Sequence, residues 1–180
     1  MQVIATQHPE VLLLRPRVFG DARGFFLESY NRKAFAGLGI DAEFVQDNHS
    51  RSAKNVLRGL HYQIRQPQGK LVRVVAGEVF DVAVDLRRSS PHFGRIATMR
   101  LSADTHEMAW IPVGFAHGFL VLSEHAEFLY KTTDYYAPEF ERSLLWSDPA
   151  LNIAWPLDGE PLLSAKDQAA LPLTECEVFV

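Results

Sequence analysis

A single cysteine, Cys176, stands among 180 residues. The chain therefore closes no internal disulfide and suits a reducing compartment. No apolar run approaches the length of a bilayer span, and no basic segment leads into an apolar one at the start. Neither a membrane helix nor a signal peptide is expected, which makes the cytoplasm the default location. Surplus positive charge is also missing: the formal net charge is −4, so no nucleic-acid partner is expected. A cleft with locally concentrated cations remains compatible with that total. A phosphate-cradling glycine loop, a dinucleotide fingerprint and a Gly-x-Ser-x-Gly elbow are all absent, so the sequence suggests no bound ATP, nicotinamide or serine nucleophile. Cys176 lies between Glu175 and Glu177, whose charge disfavours a reactive thiolate.

What is present is period-two patterning. Phe80, Val82, Val84 and Leu86 share one face of a strand, with Asp81 and Asp85 on the other. Strand-like runs occur at Val11 to Leu14, Phe25 to Tyr30, Phe44 to His49, Val56 to Tyr62 and Lys70 to Val75. Others follow at Val79 to Leu86, Gly94 to Leu101, Glu107 to Ile111, Gly118 to Leu122 and Glu127 to Thr132. Ala76-Gly77 reads as a tight turn between two long strands, with Gly77 supplying the φ freedom. Helical signal is weak. Arg32 to Leu38 forms about two turns, capped by Asn31 and stopped by Gly39, and Ser164 opens a second short segment with Asp167 three residues on. Many short strands and few helices predict an all-β sandwich or barrel. Residues 1–180 read as one domain, with a short helical or extended segment from about residue 150.

Several polar residues interrupt apolar sequence. Asp47, Asn48, His49, Ser50 and Arg51 follow Phe44 and Val45, Arg58 and His61 bracket Gly59-Leu60, and Lys70 opens the next apolar run. Taken singly, each reads most simply as a residue on a solvated strand face. Taken jointly, Arg, His and Lys so closely spaced suit a polar row turned into a barrel lumen, where it needs pairing or a ligand. Near neutral pH, His61 has a base's chemistry, and a carboxylate on its second nitrogen would fix the tautomer. Asp167 is the candidate orienter, although on its own it reads more simply as a helix N-terminal residue. Tyr130 shares a face with Phe128 and can serve as packing or as an acid. Tyr135 and Tyr136 can stack on a nucleobase.

His61 and His117 raise a metal question, because Pro112-Val-Gly-Phe-Ala-His117 looks like half of a cupin metal motif. The other half is His61-Tyr62-Gln63, which lacks the second histidine, and no carboxylate follows at Gln66 or Gln68. Two histidines underspecify a catalytic metal site, so a cupin-like barrel without its metal is expected.

The motifs together resemble the dTDP-4-dehydrorhamnose 3,5-epimerase family over nearly the whole chain. They are Asp21-Ala-Arg-Gly-Phe-Phe-Leu-Glu28, Gln46-Asp-Asn-His-Ser50, Leu57-Arg-Gly-Leu-His-Tyr-Gln63, Gln68-Gly-Lys-Leu-Val72 and Gly77-Glu-Val-Phe-Asp-Val82. Pro112-Val-Gly-Phe-Ala-His-Gly-Phe119, Leu122-Ser-Glu-His-Ala-Glu-Phe-Leu-Tyr-Lys131, Tyr135-Tyr136 and Leu163-Ser-Ala-Lys-Asp-Gln168 complete the set. The resemblance implies an all-β, cupin-like jelly-roll barrel (a double-stranded β-helix) with short peripheral helices. It also implies no cofactor, and a homodimer that exchanges N-terminal strands. It assigns His61 as base, Asp167 as its partner, Tyr130 as the acid on the other face and Lys70 as stabiliser of the enolate. Substrate-binding positions match Arg23, Phe26, Glu28, Gln46, Asp47, Asn48, Arg58, His117, Tyr136, Glu141 and Lys166. Of these, Arg23 and Arg58 hold the diphosphate, Tyr136 stacks on thymine, and Arg23 is a candidate to act across the dimer. The implied reaction inverts C3 and C5 of dTDP-4-dehydro-6-deoxy-D-glucose, giving dTDP-4-dehydro-L-rhamnose. A single-centre epimerase of a related dTDP-4-keto-6-deoxyhexose and a non-catalytic sugar-nucleotide-binding module are the alternatives.

Overall fold

Alternating sequence becomes a two-sheet barrel in the computed structural model, which describes residues 1–180. One sheet has six strands: β1 (Gln2–Ala5), β2 (Leu12–Arg15), β10 (Met108–Ile111), β7 (Lys70–Ala76), β12 (His125–Thr132) and β5 (Gln46–Ala53), in that spatial order. The other has five, in the order β13 (Glu141–Ser143), β6 (Leu57–Gln63), β11 (Phe115–Val121), β8 (Glu78–Asp85) and β9 (Ile96–Ser102). A separate hairpin pairs β3 (Val18–Asp21) with β4 (Gly24–Leu27). Two short helices, α1 (Arg32–Ala36) and α2 (Ala165–Gln168), lie outside the sheets. This is the cupin-like double-stranded β-helix, and no helix is long and apolar enough to cross a membrane.

Most of the expected strands form, with shifted ends. The run from Phe25 stops at Leu27, the run placed at Gly118 starts at Phe115, and the one placed at Phe44 starts at Gln46 and continues to Ala53. Strands β1, β3 and β13 fall outside the expected runs. Asn31 caps α1 as expected, its side chain accepting from the Ala34 amide, but the helix ends at Ala36 with Gly37 as C-cap rather than running on to Gly39. The tight turn expected at Ala76-Gly77 forms between β7 and β8, and because these strands belong to different sheets it makes a corner between layers. Gly77 has φ +74°, and a Cβ there would run into the His125 carbonyl oxygen.

Three apolar layers stack through the molecule. Val72, Val74, Val79, Ala83, Phe119 and Phe128 fill the lumen between the sheets. Leu60, Val82, Val84, Leu86 and Leu144 face outward from the five-stranded sheet, covered by Trp155, Val178 and Phe179 of the C-terminal segment. Helix α1 closes the outside of the six-stranded sheet by packing Phe35 on Leu14, Leu71 and Met108. Consequently β8 is buried on both faces. Asp81 and Asp85, which the alternation places opposite the apolar row, point into the lumen and are fully buried.

Asp85 anchors an ionic cluster at one end of the barrel. Arg87 forks onto both Asp85 and Glu10 at 2.7–2.9 Å, and Ser90 Oγ donates to Asp85 at 2.7 Å. Burial opposes the charge on Asp85, but these bonds win and hold its carboxyl at about 2. His8 Nε2 lies 3.3 Å from the same carboxylate. His8, Glu10 and Asp85 offer grouped ligand atoms, yet the guanidinium already bridges the two carboxylates, so the cluster reads as an ion-pair tie.

Candidate active site

The lumen opens into a cavity of about 320 Å³ whose walls come from both sheets. From the five-stranded sheet, β6 supplies Arg58 and His61, β11 supplies His117 and β13 supplies Glu141. From the six-stranded sheet, β5 supplies Asn48, β7 supplies Lys70 and β12 supplies Tyr130. Lys166 reaches in from α2.

Regular alternation would send Arg58 and His61 to opposite faces, because they lie three positions apart. The register explains why both line the cavity: His117 pairs with His61 while Phe119 pairs with Arg58, so β6 carries one residue more than β11 over this stretch. Such a bulge re-aims a side chain. It also draws the two backbones together. Gly59 has φ +118°, a Cβ on it would come within 2.7 Å of Gly118 Cα, and one on Gly118 would come within 2.5 Å of the Arg58 carbonyl oxygen. Glycine is therefore required at both positions.

His61 Nε2 lies 2.5 Å from Asp167 Oδ1, and Asp167 is 2% exposed. The Gly59 amide donates to the same oxygen at 3.3 Å, and Ser164 Oγ donates to the other at 2.6 Å. Burial would raise the Asp167 carboxyl, but the His61, Ser164 and Gly59 bonds outweigh it and hold it below the ordinary carboxylate range. The capping expected at Ser164 is present, since its side chain accepts from the Asp167 amide. One serine thus caps the start of the helix and favours the charged form of the acid. With Nε2 hydrogen-bonded to a carboxylate, the His61 lone pair is assigned to Nδ1.

Desolvation pushes the Lys70 ammonium down to about 8, with Glu141 and Asp81 opposing that fall. Its one bond within the chain is a long donation to the His61 carbonyl at 3.4 Å, which leaves donors for a ligand. Tyr130 stands in the opposite sheet from His61, and its hydroxyl makes no hydrogen bond within the chain. Burial, reinforced by Glu141 and opposed by Arg58, raises its phenol and keeps it protonated. His117 Nε2 lies 2.9 Å from Asp81 Oδ2, a second imidazole–carboxylate pair. At the rim, Glu141 accepts from Lys166 at 2.6 Å and from the Tyr136 hydroxyl at 3.0 Å, and Gln46 accepts from the Tyr136 amide at 3.0 Å.

Four sequence candidates are not brought to this cavity. Asp47 points to the outer face, where Lys131 donates to it at 2.8 Å, because it alternates with Asn48. Arg23, Phe26 and Glu28 belong to the β3–β4 hairpin and the turn after it. The Arg23 side chain is 90% exposed and paired with Asp21, Phe26 is 69% exposed, and Glu28 accepts from Asn31. Asp81 and Ser164 act on the site without standing among the candidates. The capping pattern was the available signal for Ser164. For Asp81 the polar half of β8 reads as solvated. Gln63, in the position of the missing metal ligand, donates to the Gln66 and Tyr135 carbonyls and accepts from the Ala137 amide, so its amide is committed to the loop.

The family model described as dTDP-4-dehydrorhamnose 3,5-epimerase matches residues 5–175. The dTDP-4-dehydrorhamnose 3,5-epimerase of Pseudomonas aeruginosa is 63% identical over 95% of each chain. That of Salmonella typhimurium is 60% identical over 94% of each. Among solved structures, the dTDP-6-deoxy-D-glucose-3,5-epimerase of Legionella pneumophila, in complex with dTDP-4-keto-L-rhamnose, superposes with a TM-score of 0.96. It is 54% identical and covers 98% of this chain and 94% of its own. On these matches the chain belongs to the dTDP-4-dehydrorhamnose 3,5-epimerase family.

Proposed function

We propose that the protein epimerises C3 and C5 of dTDP-4-dehydro-6-deoxy-D-glucose without a cofactor, giving dTDP-4-dehydro-L-rhamnose. One observation carries the reading: a carboxylate-held imidazole and a protonated phenol face one cavity from different sheets, with an ammonium beside them. The C4 ketone acidifies the hydrogens at C3 and C5. His61 Nδ1 takes the proton, the C–H electron pair passes into the enolate, and Asp167 stabilises the imidazolium. Lys70 faces the charge that develops on the C4 oxygen, where a fixed cation acts most strongly. Tyr130 delivers a proton to the opposite face and inverts the centre, with Arg58 favouring the resulting phenolate. Solvent at the cavity mouth restores both groups, and a turn of the sugar presents the second carbon.

Arg58 would anchor the diphosphate by charge-assisted bonds, with His117, Asn48, Gln46, Glu141 and Lys166 around the sugar and Tyr136 against the base. Arg23, Phe26 and Glu28 serve a site only if the exposed hairpin reaches a second copy, which fits a homodimer of single-domain chains with exchanged N-terminal elements. Unpaired Cys176 fits a cytoplasmic location.

The test is incubation with the 4-keto substrate in deuterated water, with the label located by NMR. Deuterium at both inverted carbons is expected. Label at one carbon would reduce the activity to single-centre epimerisation, and label at neither would refute it.

A further inference from the structure

Asp81 lies on β8 with its side chain fully buried in the lumen, and it is not among the substrate-facing groups. Its Oδ2 takes His117 Nε2 at 2.9 Å. Its Oδ1 is the one buried side-chain polar atom in the protein without a hydrogen-bond partner. An unmet buried carboxylate oxygen is costly and calls for an explanation. A purely structural tie to His117 would need only one acceptor, and a neutral amide would serve it as well.

Lys70 presents the complementary deficit, three ammonium donors with a single long bond to a carbonyl. The charged and titratable groups around it are Asp81 from β8, Glu141 from β13, Arg58 and His61 from β6, His117 from β11, His49 from β5, Tyr130 from β12 and Lys166 from α2. Only two of these carry negative charge. Glu141 is already met by Lys166 at 2.6 Å and by the Tyr136 hydroxyl at 3.0 Å. Asp81 is met only by the His117 ring nitrogen, which leaves its Oδ1 without a partner. The pairing also fixes His117, which stacks on Phe128 with ring centroids 6.1 Å apart and lines the cavity beside Lys70.

We infer that Asp81 is a positioning residue, whose carboxylate joins Glu141 in supplying the counter-charge that favours the Lys70 cation in the cavity while it orients His117. The inference rests on the epimerase reading for its purpose, because a charged Lys70 is what an enolate oxygen requires. Direct contact between Asp81 and the sugar is no part of it. Electrostatic support acts here from behind the reacting atoms, where water is excluded and a single charge has long reach.

Asp81→Asn tests this, because it keeps the volume and an acceptor for His117 and removes only the charge. The ε-carbon of Lys70 is followed by NMR in ¹³C-lysine-labelled, substrate-free protein, with the signal assigned by comparison with Lys70→Arg. In Asp81→Asn the Lys70 titration should move toward acid by about one pH unit. The basic limb of kcat should move with it, while kcat at pH 6 stays within about threefold of the parent. An unmoved Lys70 titration overturns the inference, as does a rate lowered by one factor at every pH, the mark of a structural role. If the Asn variant does not fold, Asp81→Ser gives the same reading with a smaller neutral side chain, and an unchanged titration there is equally fatal. Because the titration needs no substrate, failure of the epimerase reading and failure of this inference register separately.

Discussion

His61 and Asp167 are 106 positions apart in sequence, yet their side chains meet at 2.5 Å behind the cavity wall. The contact depends on α2 bringing Asp167 against β6, and on Ser164 and the Gly59 amide filling the remaining acceptor sites of the carboxylate. Asp167→Asn keeps the shape but loses the charge that stabilises the imidazolium. Turnover should fall by about 10²–10⁴-fold with the fold intact by circular dichroism. A rate near that of the parent would remove Asp167 from the proton transfer.

His61→Ala and Tyr130→Phe should fail differently. Without the imidazole, no proton leaves the sugar, and deuterium exchange from solvent should vanish at both carbons. Without the phenol, carbanions still form and return to the face they left, so exchange should persist in part while inversion is lost. Equal loss of both activities in Tyr130→Phe would contradict the assignment of acid and base to opposite sheets.

Lys70 sets a conflict between activity and stability. Its ammonium is held at about 8 by desolvation, below the ordinary lysine value of 10.5. Activity that needs the cation should therefore decline as pH rises through about 8. Between about 8 and 10.5 the unfolded chain binds the extra proton, so this group's contribution to stability improves as pH rises across that window. Lys70→Met should lower kcat at least about a hundredfold and raise the melting temperature at pH 7 by roughly 2–4 °C, corresponding to about 1 kcal/mol. A melting temperature that falls would show that the buried ammonium is not a net cost.

Arg87 tests the far end of the barrel. Removing it leaves Asp85 buried with only His8 and Ser90 as side-chain partners and no cation forked onto it, and Arg87→Ala should cost about 3 kcal/mol in urea unfolding at pH 7, with kcat at 25 °C retained. Asp85, held at about 2, contributes stability above its unfolded value near 3.8 that is lost as pH falls toward 2. In the variant, acid unfolding should therefore begin at higher pH. A loss of activity larger than the loss of folded protein would tie the cluster to the site.

The strands and the site differ in how much of them the sequence exposes. Alternation in residues 70–86 and 125–132 marks β7, β8 and β12 because their inward apolar rows repeat cleanly. Strands β1, β3 and β13 are short edge or hairpin pieces whose pairing is set by tertiary contact, and they carry little pattern. The buried acids were legible as residues but not in place, since a polar row beside an apolar one reads as solvated unless a further layer is known to cover the apolar side. Here Trp155, Val178 and Phe179 cover it, and Asp81 turns inward. Family motifs pointed to His61, Lys70, Tyr130 and Asp167, which the fold gathers. The same motifs include Arg23, Phe26 and Glu28, which this chain leaves exposed on and just after the β3–β4 hairpin, away from the cavity.

The extra residue in β6 has a consequence for how freely this enzyme can vary. Parity along a strand is unforgiving: an insertion or deletion of one position between Arg58 and His61 would rotate one of the two out of the lumen and into the layer beneath Trp155. Loops at the barrel ends can lengthen without touching that relation. The spacing from arginine to histidine cannot change by a single step, because a chain that altered it would turn one of these two polar side chains into the apolar outer layer.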